Sequence, residues 1–144
     1  QLLLDQGVIV VCTGGGGIPV VRRRDGSLIG IEAVIDKDAA SSLLARQLGA
    51  DALLLLTDVD AVYRDFGTER AQRIGVMTPD EARAFGAPEG SMRPKLTAGS
   101  DFAANGRFTG IGRLEDASAL LDGLAGTRIA ASNEGQADPA SLRR

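Results

Sequence analysis

Four short clusters of residues along this chain carry groups that bind anions. Glycines expose backbone N–H groups without a covering side chain, lysines supply positive charge, and hydroxyl or carboxylate groups orient a ligand. The clusters are Gly14, Gly15, Gly16 and Gly17; Asp36, Lys37 and Asp38; Thr57 and Asp58; and Ser91, Met92, Arg93, Pro94 and Lys95. Their composition favours a charged ligand such as a phosphate group.

Each cluster taken alone also has an ordinary structural explanation. A run of glycines forms flexible turns, an aspartate caps a helix, and a lysine often points into water. Lys37 and Lys95 both stand at predicted helix starts, where the helix dipole disfavours a cation unless an anion is bound. Two explanations of these lysines are therefore left open: each points into water, or both bind the same anion. Because a cation is misplaced there, we expect the replacement of Lys95 to cost little folding energy.

The residue types that are missing restrict the chemistry of this chain. It has no histidine and a single cysteine, Cys12. Nucleophilic sites of the Ser-His-Asp or Cys-His kind, His-ligated metals and thiolate zinc clusters are therefore excluded within it. Catalysis must rest on Lys, Arg, Asp, Glu, hydroxyls, backbone amides or a bound cation. Cys12 ends an apolar run and is expected to be a small buried side chain.

The composition is typical of a globular domain rather than of a membrane or nucleic-acid-binding protein. Of the 144 residues, 44% are hydrophobic and 24% are charged, and no apolar run reaches membrane-spanning length. The net charge of −3 argues against a nucleic-acid partner. One cysteine fits a reducing compartment, so we expect a cytoplasmic protein. Residues 1–7 resemble a helix end stopped by Gly7, which predicts that the chain begins within a fold.

The elements that must position these clusters alternate between strands and helices. Apolar runs predict buried strands over residues 8–12 and 52–56, a short strand over 110–112 and an edge strand over 126–129. Turn signals predict a hairpin tip at Asp25-Gly26 and a short hairpin within residues 63–74. Because the carboxyl ends of parallel strands share one edge of a sheet, we expect most of the clusters to meet there.

Helix signals are also clear. Helices are predicted over residues 38–48, 94–105 and 115–121, and another begins at Thr78 with Pro79 and Glu81 and ends at Gly86. In the first of these helices Ala40, Leu43, Leu44 and Leu48 share one face. The alternation predicts an α/β fold with a mostly parallel sheet flanked by helices over residues 1–129. Residues 130–144 are rich in small polar residues and are predicted to be a disordered tail.

The order of the motifs resembles that of the carbamate kinases in the amino acid kinase family. The matching stretches are Gly-Gly-Gly-Gly-Ile-Pro-Val at 14–20, Glu-Ala-Val-Ile-Asp-Lys-Asp at 32–38, Leu-Leu-Thr-Asp-Val-Asp-Ala-Val-Tyr at 55–63, Gly-Ser-Met with Pro-Lys at 90–95, and Gly-Leu-Ala-Gly-Thr at 123–127. The resemblance runs from about residue 7 to residue 129. It implies the C-terminal, nucleotide-binding lobe of a two-lobed kinase.

The resemblance implies roles for particular residues. Lys37 and Lys95 would stabilise the phosphoryl group as it moves between ATP and carbamate, and Asp38 would orient the lysines and help to position Mg²⁺. Thr57, Asp58 and Tyr63 would lie near the adenosine of ATP or ADP, and Val59, Met92 and Pro94 would also bind the nucleotide. The loop of Gly14, Gly15, Gly16 and Gly17 would approach the acceptor or the phosphoryl group. Members of this family are typically homodimers that act on carbamate and carbamoyl phosphate in arginine metabolism.

The implied reaction agrees with the absence of histidine. Carbamate is already an anionic oxygen nucleophile, so it needs no general base. Phosphoryl transfer depends mainly on positioning and on charge stabilisation, which lysines, backbone amides and Mg²⁺ supply.

Three departures from the family pattern bear on this interpretation. Arg93 stands where the family has glycine, and Gly99 should weaken its helix by up to ~1 kcal/mol. The N-terminal half of the family, with its Gly-Gly-Asn-Ala loop, is not in this chain, so the chain alone is expected to be inactive.

Two alternative functions remain: a non-catalytic nucleotide-binding module from a truncated gene, or a sister kinase acting on another carboxylate. The glycine run at 14–20 and the motif at 90–95 favour carbamate over the sister kinase.

Overall fold

Strands and helices alternate in the computed structural model, which describes residues 1–87, 90 and 92–131. Ser91 and most of the predicted tail, residues 132–144, lie outside the described residues. In chain order the elements are α1 (Leu2–Asp5), β1 (Val20–Arg22), β2 (Leu28–Gly30), α2 (Lys37–Leu48), β3 (Ala52–Thr57), β4 (Val62–Arg64), β5 (Gln72–Ile74), β6 (Val76–Met77), α3 (Pro79–Ala84), α4 (Met92–Ala103), β7 (Phe108–Arg113), α5 (Ala117–Leu121) and β8 (Thr127–Ala130), with a 3₁₀ turn at Leu114–Asp116.

The main sheet has four strands in the order β3-β7-β8-β6. β3 pairs in parallel with β7 over its whole length, β6 pairs in parallel with β8, and β7 and β8 are antiparallel. The predicted α/β class is confirmed. The prediction that residues 126–129 form an edge strand is wrong, because β8 lies between β7 and β6. β6 has only two residues, Val76 and Met77, too few to give a strand signal in the sequence.

The core lies where α4 packs on the sheet. Leu96 and Phe102 of α4 are completely enclosed with Ile111 of β7 and Ile129 of β8. Gly99 makes this close approach possible, since a Cβ atom there would lie 3.0 Å from Cγ2 of Thr109 and 3.1 Å from Cδ1 of Ile129. The glycine that weakens the isolated helix is therefore required by the packing.

Caps define the helix ends that matter for the site. The Asp36 carboxylate accepts hydrogen bonds from the N–H groups of Asp38 and Ala39, each 2.9 Å long, and so begins α2. α2 ends at Gly49, which has a φ of 71°. The predicted capping box of Thr78 and Glu81 is present at α3. α3 ends at Ala84, two residues before the predicted stop, and α4 begins at Met92, two residues before the predicted start.

Two antiparallel hairpins lie outside the main sheet. β1 and β2 join around Asp25 and Gly26, as predicted, and the Asp25 carboxylate accepts the N–H of Ser27 at 2.9 Å. β4 and β5 pair from Val62 opposite Ile74 to Arg64 opposite Gln72, which confirms the short hairpin predicted there. The second hairpin follows the end of β3 directly, so its strands stand beside the carboxyl edge of the main sheet.

The N-terminal segment differs most from its sequence-based description. Residues 8–12 were expected to form a buried strand, but they join none of the three sheets of the described residues, and Ile9 and Val11 are almost fully exposed. Cys12 is exposed rather than buried, so that expectation is also wrong. An apolar run becomes a strand only beside a neighbour that completes its ladder, and none of the described strands lies alongside. The predicted helix stop at Gly7 is present, with a φ of 74°.

None of the helices in the described part of the chain is both long and apolar enough to cross a membrane.

Candidate functional site

The first turns of α2 and α4 meet at a buried ion pair. The Lys95 ammonium lies 3.0 Å from Oδ2 and 3.3 Å from Oδ1 of Asp38. Both residues are buried, Lys95 with 5% of its surface exposed. Lys37 lies on the solvent side of the same carboxylate, with its Nζ atom 3.9 Å from Oδ2 and its side chain 61% exposed. The structure thus brings together the three residues that the sequence singled out for catalysis.

The ion pair changes the expected role of Lys95 in folding. From the sequence alone, Lys95 is an isolated cation at the start of a helix. The Asp38 carboxylate instead neutralises it in a buried setting, where removal of one partner leaves the other charge uncompensated. The expectation that its replacement costs little folding energy therefore rests on a premise that the structure contradicts.

The glycine loop lies against the start of α2. A Cβ atom on Gly16 would collide with the carbonyl oxygen of Ile35, the residue before the Asp36 cap. Gly16 and Gly17 have φ values of 133° and 134°, which side chains rarely allow, and the Gly16 N–H donates to the Thr13 carbonyl at 2.9 Å. The loop therefore needs glycine for both its backbone shape and its close approach, and it borders the cluster that holds Lys37 and Asp38.

A separate cavity of about 320 Å³ opens at the carboxyl end of β3. Its walls come from the end of β3, the β4–β5 hairpin, the end of α3 and the start of α4. The lining residues are Thr57, Asp58, Val59, Ala61, Tyr63, Phe66, Phe85, Ala87, Gly90 and Met92. Five of the six residues predicted to bind the nucleotide are in this set. Apolar and aromatic walls with a few polar groups at one end suit a flat heterocyclic ring.

Tyr63 is held in this cavity by an acidic neighbour. Its hydroxyl donates to the Asp60 carboxylate, with both oxygens 3.1 Å away, and its ring lies 5.9 Å from that of Phe66. The hydrogen bond to Asp60 raises the pKa of the Tyr63 phenol above its ordinary value. Nε of Arg73 on β5 lies 4.0 Å from the Asp60 carboxylate and so links the hairpin to the segment between β3 and β4.

Pro94 is the one predicted nucleotide contact that does not line the cavity. It lies in a groove of about 650 Å³ between α2 and α4, together with Arg93. Met92 and Pro94 are two residues apart on a helix, which places their side chains about 200° apart around its axis. Only Met92 therefore faces the cavity, and a contact of Pro94 with the nucleotide stays a prediction.

Several residues of the cavity were not found from the sequence. Phe66 follows the hairpin strand β4 and Phe85 caps the end of α3, so no shared motif connects them. The chain has only four phenylalanines and one tyrosine, and three of these five rings lie together here. Arg113, at the end of β7, does not line the cavity, but its Nε atom donates to the carbonyl oxygen of the lining residue Asp58 at 3.4 Å.

The described residues do not build a metal site of their own. No group of three or more acidic, cysteine or histidine side chains lies close enough together in this part of the chain to hold an ion. Both oxygens of Asp38 face the Lys95 ammonium. Asp38 thus fits the role of an anchor for the lysines better than that of a ligand, and a contribution of Mg²⁺ stays a prediction.

Comparison with known proteins gives the family. A sequence profile described as "Amino acid kinase family" matches residues 1–110, which is well over half of the chain. The chain belongs to the amino acid kinase family.

Its relatives in this family are carbamate kinases. The chain is 48% identical over 130 residues to the carbamate kinase of Escherichia coli (strain K12), a match that covers 90% of this chain and 42% of the relative. It is 46% identical over 139 residues to that of Halobacterium salinarum, with 93% and 45% covered. The resemblance stated from the motifs is therefore confirmed. The chain spans less than half the length of these curated relatives.

Solved structures of the family support the same assignment. Carbamate kinase from Giardia lamblia bound to AMP-PNP superimposes with a TM-score of 0.84 at 38% identity, over 91% of this chain and 47% of that one. The UMP kinase from Bacillus anthracis is 17% identical with a TM-score of 0.61, over 91% and 49% of the two chains. The second similarity shows the shared fold alone.

Proposed function

We propose that this chain supplies the nucleotide site and the phosphoryl-transfer lysines of an enzyme that converts ATP and carbamate reversibly into ADP and carbamoyl phosphate. One observation carries the proposal: the first turn of α4 connects the aromatic cavity to the buried lysine. Met92 lines the cavity, and Lys95, about 4.5 Å further along the helix axis, pairs with Asp38. A nucleotide with its base in the cavity would direct its phosphates toward this turn.

The cavity accounts for recognition of the nucleoside. Its aromatic side chains, among them Tyr63, Phe66 and Phe85, offer flat apolar surface for a base. Thr57 and Asp58 place a hydroxyl and a carboxylate at the end of β3, where a ribose would present its own hydroxyl groups. The fold similarity to a carbamate kinase bound to AMP-PNP supports the assignment of an adenine nucleotide.

The lysines account for the chemical step. A carbamate oxygen attacks the γ-phosphorus, the bond from that phosphorus to the β–γ bridging oxygen breaks, and ADP leaves with the electron pair. Negative charge spreads over the transferred group, and the ammonium groups of Lys95 and Lys37 would stabilise it. Asp38 holds Lys95 in one place, which lowers the cost of ordering the site before transfer.

The glycine loop suits the acceptor side of the reaction. Gly14, Gly15, Gly16 and Gly17 carry no side chains, and the loop lies against the residue before Asp36. Exposed backbone N–H groups in such a loop would bind the carboxylate of carbamate or the transferred phosphoryl group. Homodimerisation and a cytoplasmic location stay predictions.

A non-catalytic nucleotide-binding module is the second candidate. The cavity lining contains neither Lys37 nor Lys95, so nucleotide binding there does not depend on the residues proposed for phosphoryl transfer. Such a module would bind nucleotide in the same cavity but would lack donors on the other side of the transferred group.

A chimera separates the two candidates. This chain replaces the matching 130 residues of the E. coli (strain K12) carbamate kinase, and the purified protein is supplied with ADP and carbamoyl phosphate. The proposal predicts ATP formation that is lost in the Lys95→Met variant and kept in Arg83→Gln, which removes an exposed cation from α3. A folded chimera that binds ADP but forms no ATP would favour the non-catalytic module.

A further inference from the structure

Thr127 joins the β4–β5 hairpin to the main sheet through a buried hydroxyl. Thr127 is fully buried at the start of β8. Its Oγ1 atom accepts the N–H of Val62 at 2.8 Å and donates to the carbonyl oxygen of Ile74. Val62 and Ile74 face each other as the first pair of the hairpin ladder. One hydroxyl thus satisfies a buried donor and an acceptor on the two strands of the hairpin.

The preceding residue adds a second tie to the same hairpin. The Gly126 carbonyl accepts a hydrogen bond from Nη2 of Arg73 on β5 at 2.8 Å. Gly126 has a φ of 67°, and a Cβ atom there would collide with Leu120 and with the backbone of Ile111. Thr127 therefore binds the backbone of both hairpin strands, and the Gly126 carbonyl binds the Arg73 side chain of β5.

The hairpin carries one wall of the nucleotide cavity. Tyr63 follows Val62 directly, and its hydroxyl bonds to Asp60, which also lies 4.0 Å from Nε of Arg73. Phe66 lies just beyond β4 and lines the cavity with Tyr63. A hairpin released from Thr127 would keep its own ladder but would lose its fixed position against the end of β3.

We propose that Thr127 is a positioning residue for nucleotide binding: its hydroxyl fixes the β4–β5 hairpin so that Tyr63 and Phe66 form the cavity wall before the nucleotide arrives. The proposal rests on the proposed function, since the cavity must bind a nucleotide for this positioning to matter. Thr127 lies outside the cavity lining, so its effect passes through the hairpin.

Matched threonines make the first test specific. Thr127→Val keeps the shape of the side chain but removes the hydroxyl, and Thr127→Ser restores it. Thr109→Val is the control, because Thr109 is equally buried but its hydroxyl bonds to the Gly99 carbonyl of α4 at 3.0 Å. ADP affinity is measured on the 144-residue chain by calorimetry, with thermal unfolding in parallel. We expect Thr127→Val to weaken binding about tenfold, and Thr127→Ser and Thr109→Val to stay within about twofold of the unsubstituted chain.

The single tyrosine gives a second readout that needs no nucleotide. The chain has one tyrosine and no tryptophan, so the ultraviolet absorbance change on phenol ionisation reports Tyr63 alone. We expect Thr127→Val to move the Tyr63 titration toward that of a free phenol, because a loosened hairpin weakens the bond to Asp60. Thr109→Val should leave the titration in place. Failure of the unsubstituted chain to bind ADP would contradict the proposed function, while this titration would still decide the role of Thr127.

A third variant covers the case in which Thr127→Val does not fold. Arg73→Gln breaks the tie to the Gly126 carbonyl from a side chain that is nearly half exposed, so it alters no fully buried side chain. We expect it to weaken ADP binding, and only ADP affinity is compared in this variant, because the Arg73 charge itself lowers the pKa of Tyr63. Unchanged ADP affinity and an unchanged Tyr63 titration in the folded Thr127→Val chain would overturn the proposal. If Thr127→Val does not fold, unchanged ADP affinity in Arg73→Gln would overturn it.

Discussion

Lys37 and Lys95 contact the same carboxylate from opposite environments. Lys95 is enclosed with Asp38, whereas Lys37 reaches the carboxylate from solvent. A buried charge that loses its partner remains desolvated, while an exposed pair gains little beyond what water provides. The two lysines should therefore differ in their contribution to stability even where both stabilise a phosphoryl group.

This difference is measurable by chemical denaturation. We expect Lys95→Met to lower the free energy of unfolding by about 3 kcal/mol, because it leaves the buried Asp38 carboxylate with only the exposed Lys37 ammonium as a counter-charge. Lys37→Met should lower it by less than about 1 kcal/mol. The double variant Asp38→Leu with Lys95→Met should recover most of the loss. Equal effects of the two single substitutions would show that the burial of Lys95 does not control its role in folding.

The pKa of the Tyr63 phenol should lie above its ordinary value because of its hydrogen bond to Asp60. The bond to the Asp60 carboxylate favours the protonated phenol and raises the pKa of Tyr63. Since the folded-state pKa is the higher one, this bond stabilises the fold below the pKa of the unfolded phenol and is lost as pH rises through the folded value. We expect Asp60→Asn to lower the Tyr63 pKa and Asp65→Asn, in the same hairpin, to leave it unchanged. An absorbance titration in which Asp60→Asn has no effect would refute the assignment.

Among the helices, local signals predicted the caps of α2 and α3 but not which face of a helix is buried. The Asp36 cap and the Thr78–Glu81 box are backbone hydrogen-bonding patterns, and both are present. The apolar spacing in α2 places Leu43 on one face with Leu44 and Leu48, yet the buried residues of this helix are Asp38 and Ser42, and Leu43 is half exposed. The Ser42 hydroxyl bonds to the Ala98 carbonyl of α4. A polar contact between two helices cannot be predicted from the hydropathy pattern of either helix.

Gly99 is the element-scale case in which packing overrides helix propensity. On propensity alone, Gly99→Ala would stabilise α4 by about 1 kcal/mol. We expect it to destabilise the protein by about 1–3 kcal/mol instead, since the added methyl group meets Thr109 and Ile129 at the surface of the sheet. Thr97→Ala, on the exposed side of the same helix, should change stability by less than about 0.5 kcal/mol. A gain of stability in Gly99→Ala on urea denaturation would contradict the observed packing.

The capping box of α3 should make stability depend on pH in acid. Hydrogen bonds from Thr78 lower the pKa of the Glu81 carboxyl below its ordinary value. The stabilisation is therefore complete above the pKa of an unfolded glutamate and is lost as pH falls through the folded value. We expect Glu81→Gln to flatten this part of the thermal stability profile and Glu69→Gln, in the exposed hairpin, to leave it unchanged. Parallel profiles for Glu81→Gln and the unsubstituted chain would rule the effect out.

At the scale of the whole molecule, apolar surface is distributed unevenly. Fourteen of the twenty large exposed hydrophobic side chains among the described residues lie in residues 1–35. The strand predicted over residues 8–12 depends on a neighbouring strand, which no local pattern can reveal. β8 was misplaced for the same reason, because its position inside the sheet depends on the two residues of β6. The sequence therefore predicted the fold class and most helices and strands, whereas the pairing of the strands is seen only in the structure.

The candidate site was predictable to a similar extent. The motifs brought Lys37, Asp38 and Lys95 together correctly because each lies at a helix start, where backbone geometry is regular. Phe66 and Phe85 were missed because they reach the cavity from a hairpin and a helix end that share no motif. Contacts that arise only from tertiary packing cannot be predicted from local sequence patterns.

The central claim is that an adenine nucleotide binds in the cavity at the end of β3 with its phosphates at the start of α4. Amide chemical shifts of the isotopically labelled chain, followed by NMR during titration with ADP, test this directly. The account predicts that the largest changes occur at Thr57, Asp58, Tyr63, Met92 and Lys95. Changes concentrated in the groove between α2 and α4, at Arg46, Thr97 and Asp101, would contradict it, as would the absence of any change in the folded chain.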